Sequence, residues 1–118
     1  MKGKLHPFLC DTITKQGFSI IDEYAENQKY YVEMELCSDL GEAFLITIEY
    51  DGTDGGFIHA FLDYYDDFDA DDHAAALIPM RGTNGVPSSI RAILYDAESI
   101  QNKLLDLAVA MANAWVDI

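Results

Sequence analysis

Positive charge is what this chain has least of. It carries 7 lysines and arginines against 21 aspartates and glutamates, a formal net charge of −14. Between Lys29 and Arg81 there is no lysine or arginine at all. A surface of that sign repels phosphate backbones and anionic headgroups, which argues against direct contact with nucleic acid or membrane. Cysteine is scarce as well. Cys10 and Cys37 suit two free thiols in a reducing cytosol better than a disulfide framework. Nor is there a long hydrophobic run, since none approaches the ~18 apolar residues of a bilayer span. The start, MKGKLHPFLC, pairs basic residues with a broken apolar stretch and makes a poor signal peptide.

What is present is enough for a core. Half of the 118 residues are hydrophobic and 12% are aromatic, whereas disordered acidic chains are poor in both. One α+β domain over residues 1–118 is expected. Leu5, Phe8, Leu9 and Ile13 have helical spacing, with Pro7 tolerable in a first turn and Gly17 as the stop. The period then falls to two in FSIIDEY (18–24), YYVEMELC (30–37), AFLITIEY (43–50) and GFIHAFLDYY (56–65). Short turn-forming links, AENQ, SDLGE and DGTDG, predict a three- to four-stranded antiparallel meander. DDHAAALIPM predicts one or two helical turns, capped by Asp71 or Asp72 and ended by Pro79. From Ser88 to Trp115 the three-four spacing is unbroken. At ~1.5 Å per residue that helix would be roughly 42 Å long, so a break near Asp96 is expected. The C-terminal helices should cover one sheet face.

The acid is not evenly spread. DYYDDFDADD (63–72) holds six aspartates and three aromatics. Thirteen acidic residues fall between Lys29 and Arg81. Like charges this close repel one another, and no lysine within the segment relieves them. Solubility alone would account for acidic loops. A cationic partner would account for their bunching. The expected partner-facing patch is Asp63, Tyr64, Tyr65, Asp66, Asp67, Asp69, Asp71 and Asp72, supported by Glu33, Glu35, Glu49, Asp51 and Asp54.

Signals for catalysis or a metal are weak by comparison. Asp67, Asp69 and Asp71 match three positions of a calcium loop, but Asp72 replaces its glycine and Ile78 its bidentate glutamate. His6 and Cys10 are four apart and have no second ligand pair. His59 and Asp63 lie four apart in a strand run and so share a face, yet no nucleophile motif accompanies them. DGTDGG (51–56) is glycine-rich but lacks the lysine of a phosphate cradle. The expectation is a non-enzymatic protein with no cofactor and no metal.

The order helix, antiparallel sheet, helices, with acid bunched after the last strand, resembles small phage-encoded anti-CRISPR proteins. FDADDHAAALIPMRGTNGVPSSIRAILYDAESI (68–100) is similar to uncharacterised proteins of phages and integrative elements of gut bacteria. The resemblance implies an inhibitor in a bacterial cytoplasm. Its carboxylates would stand in for DNA at a basic groove, such as the PAM-reading site of an RNA-guided nuclease. The partner would then be a basic protein, itself a nucleic-acid-binding protein or nuclease. The alternative is a self-associating accessory protein of a mobile element, paired as a homodimer through Leu104, Leu107, Met111 and Trp115 of the 88–115 helix.

Overall fold

The computed structural model describes residues 4–117, and part of the basic start, including Lys2, lies outside the described residues. Helix α1 (Pro7–Lys15) opens with Pro7 in its first turn, where a missing N–H costs nothing. It buries Leu9 and Ile13. Three strands follow, β1 (Phe18–Glu26), β2 (Lys29–Cys37) and β3 (Ala43–Tyr50). They pair antiparallel in the order β1-β2-β3. Asn27 and Gln28, both at positive φ (53° and 66°), form the two-residue turn that matches strand twist. A register shift between Ile20 and Asp22 marks a bulge in β1.

Alternation in β2 and β3 decides the faces. Val32, Met34, Leu36, Phe44, Ile46, Ile48 and Tyr50 point inward. Tyr31, Glu33, Glu35, Leu45, Thr47 and Glu49 point to the other, open face. The inward residues form one core with Leu9 and Ile13 of α1 and with residues of the later helices.

The run expected as a fourth strand is instead helix α2 (Asp54–Asp67). Thr53 caps it, its side chain accepting from the Gly56 amide. DGTDGG is therefore a helix entry rather than a hairpin. Phe57, Phe61, Tyr64 and Tyr65 also satisfy the helical period, and Ile58 alone in this run is β-branched. Gly52, at φ 88°, completes the bend, and a Cβ there would lie 2.8 Å from the Tyr30 ring.

Helix α3 (Ala70–Leu77) is capped by Asp69, not by Asp71 or Asp72, and runs into a 3₁₀ turn (Ile78–Met80) that contains Pro79. Helix α4 (Ile90–Asp117) is continuous, and the expected break near Asp96 is absent. Asp96 lies within the unbroken helix, its carboxylate accepting the Leu40 amide at 3.1 Å. The molecule accommodates the length by elongating to 46 × 31 × 20 Å. The first half of α4 packs Ile93 and Ala97 against Ala70 and Ala74 of α3. The second half buries Ile100, Leu104, Leu107 and Met111 in the main core, with Phe68 touching both clusters. Leu104, Leu107 and Met111 are fully buried within the chain, so the seam expected for self-pairing is occupied by the protein's own sheet and helices. Trp115 is half-exposed and lies against Gly55.

Candidate functional site

The segment 63–72 is the junction of two helices. Asp63, Asp66 and Asp67 occupy the last turns of α2 at i, i+3 and i+4, one face of the helix. Phe68 ends α2 in an extended conformation (φ −71°, ψ 125°). Its ring packs edge-on to Phe44 at 5.5 Å and lies 5.6 Å from the His73 ring. Asp69 then starts α3, its Oδ1 accepting from the amides of Asp71 (2.9 Å) and Asp72 (3.2 Å). Tyr64 stacks on Phe61, and burial raises its pKa. Tyr64, Tyr65 and Phe68 are half-buried and pack against the core, and Tyr64 also reaches the surface beside Asp67. All six aspartates face solvent.

These aspartates form a continuous ridge, because Asp67 borders three adjoining hollows. In one it meets Asp69, Asp72 and His73; in another Asp66, Asp69, Asp71 and Glu98; in the third Glu49, Asp63 and Thr47. Glu98 comes from α4, and no local signal in the sequence places it there. Within the described residues, no basic side chain pairs with Asp66, Asp67, Asp69, Asp71 or Asp72. Lys29 lies 3.6 Å from Glu49, Lys103 lies 2.6 Å from Asp39, and Arg81 donates to the Ile78 carbonyl.

The expected supporting residues divide. Glu33 and Glu35 sit on the open sheet face, and Glu49 joins that face to the ridge. Glu33 accepts from the Tyr24 hydroxyl and Glu49 from Tyr31, each at 3.2 Å. Desolvation, then those carboxylates, raises the pKa of both phenols. Asp51 and Asp54 are elsewhere. Asp51 accepts from the Thr53 amide and hydroxyl, and Asp54 accepts the His6 amide at 3.0 Å. They stand at the opposite end of α2, roughly 20 Å from Asp67 along the helix axis, so the ridge does not include them.

His59 and Asp63 form an exposed i,i+4 pair at 3.4 Å on α2, a helix rather than the expected strand. Among the described residues, no group of three or more His, Cys, Asp or Glu side chains is placed to hold a metal ion. Cys10 and Cys37 are free. No described helix is long and apolar enough to cross a membrane.

Fold and site together define an α+β protein with one open sheet face and an acidic ridge at a helix junction. Compared with known protein families, with characterised proteins and with solved structures, the chain matches none.

Proposed function

We propose that the protein is a non-enzymatic inhibitor of the kind carried by phages and mobile elements, whose acidic ridge occupies a basic nucleic-acid-binding groove as a DNA mimic. One observation carries this reading: Asp66 and Asp67 lie at the C-terminal end of α2, with no basic residue in its last turn. A helix C-terminus carries partial negative charge, so acid there opposes folding. Asp69, Asp71 and Asp72 have a structural reason, as cap and first turn of α3. Asp66 and Asp67 have none, and a cationic partner supplies one.

The mechanism is competition. Arginines that read bases and phosphates also donate paired hydrogen bonds to carboxylates. Aspartates fixed on helices present such carboxylates without first ordering a loop. The PAM-reading arginines of an RNA-guided nuclease are the target class that the resemblance in charge and architecture suggests. Electrostatic steering makes association fast and sensitive to salt.

The test is displacement of PAM-bearing duplex DNA from guide-loaded nucleases, followed by fluorescence anisotropy. The wild-type chain should displace the DNA at low salt and lose affinity as salt rises. A variant with asparagine at positions 66, 67, 69, 71 and 72 keeps the α3 cap, since asparagine caps as well as aspartate, and it should not compete. Equal competition by this variant, or no displacement from any nuclease tried, rejects the proposal.

A further inference from the structure

A second feature lies apart from the ridge. A cleft of about 300 Å³ opens where the β2–β3 loop, the end of α3 and the 81–89 loop meet α4. That volume is at the lower end for small-molecule sites. Its walls are largely apolar, with Leu40, Leu77, Met80, Val86, Pro87 and Ile93. One nearly buried carboxylate enters them, Asp96, at 7% exposure.

The two oxygens of Asp96 are in different situations. Oδ1 accepts the Leu40 amide, which fixes the orientation of the group. Oδ2 has no hydrogen-bond partner among the described residues, yet it is not among the polar atoms sealed from solvent without one. Its access is through the cleft. Glu42 also borders the cleft, but its carboxylate oxygens lie 3.1 and 3.0 Å from His73 Nε2. Lys103 donates to Asp39 and Arg81 to the Ile78 carbonyl, and no cation of the described residues is within ion-pair distance of Asp96. Asp96 thus holds one carboxylate oxygen in a fixed orientation toward an apolar cleft, an arrangement that an ammonium group complements in charge and hydrogen bonding.

We infer that the cleft binds a small apolar amine, with its ammonium group on Asp96 Oδ2 and its hydrocarbon or aromatic body against Leu77, Val86 and Ile93. The site is independent of the ridge and of the inhibitor function. An ammonium–carboxylate hydrogen bond in a desolvated setting is about twice as strong as a neutral one, so charge should govern selection.

The experiment is a titration of the full, ¹⁵N-labelled chain with 2-phenylethylamine, 2-phenylethanol and phenylacetate. Amide shifts of Leu40, Val86 and Ile93 report binding. The amine should bind about tenfold or more tightly than the alcohol, a difference near 1.4 kcal/mol, and phenylacetate should not bind. Asp96→Asn keeps an acceptor for the Leu40 amide and should bring amine and alcohol to equal affinity. Val86→Phe fills the cleft and should remove binding of both. An amine preference that survives Asp96→Asn overturns the site. So do shifts confined to other residues, no shifts at millimolar amine, or unchanged amine binding in Val86→Phe, which decides alone should Asp96→Asn not fold.

Discussion

Tyr50 is a residue whose burial works against its chemistry. It is 7% exposed, packed between Tyr30 and Phe57, and its hydroxyl has no partner among the described residues. Burial first, then Glu23, Asp54 and Asp51, pushes its pKa from 10.0 to about 12. The folded protein therefore holds this proton more tightly than the unfolded chain. That stability is complete below pH 10 and is lost as pH rises toward 12, at up to about 1.4 kcal/mol per pH unit. Tyr50→Phe removes an unmet hydroxyl and should raise stability at neutral pH by about 1 kcal/mol. It should also flatten the alkaline decline, leaving a residual slope from Cys10, Tyr24, Tyr31 and Tyr64, whose pKa values are raised as well. Urea unfolding followed from neutral to alkaline pH measures both, and a destabilised variant with the full alkaline slope contradicts the assignment.

At the scale of elements, the acidic segment contains two opposite helix ends. Asp66 and Asp67 oppose the dipole of α2, and Asp69, Asp71 and Asp72 favour that of α3. Neutralising Asp66 and Asp67 as asparagines should therefore stabilise the protein, by about 0.3–1 kcal/mol each at low salt. Asp69→Ala should destabilise it by about 1 kcal/mol through loss of the cap. Thermal melts of the two variants should move in opposite directions, and melts that fall together would show that dipole placement does not govern this junction. The same elements explain α4. Its Leu40–Asp96 contact and its two successive clusters reward an unbroken helix along its whole length.

For the whole molecule, the net charge of −14 acts as distributed self-repulsion. Raising ionic strength from about 0.01 M to about 0.15 M shortens the Debye length from about 30 Å to about 8 Å. The second distance is shorter than every dimension of the 46 × 31 × 20 Å envelope. The free protein should melt higher with added salt, while the proposed complex with a basic partner should weaken. Scanning calorimetry of the free chain and anisotropy of the complex test this pair of opposite responses. A melting temperature indifferent to salt would mean that the charges are already well spaced.

The sequence by itself determined the composition of the layers. Strict alternation fixed the faces of β2 and β3, where a one-residue slip would expose the core, and the three-four spacing fixed α4. It also showed that lysine and arginine are missing from 30–80. It did not determine the state of 56–65, because Phe57, Phe61 and Tyr65 fit both periods and only the Thr53 cap and packing against β3 select the helix. Contacts between residues far apart in the chain were left to the tertiary structure. It brought Glu98 beside Asp66 and Asp71, sent Asp51 and Asp54 to the far end of α2, and placed Asp96 in an apolar cleft. Side-chain periodicity is a local property of the backbone, whereas which charges meet depends on how distant elements pack.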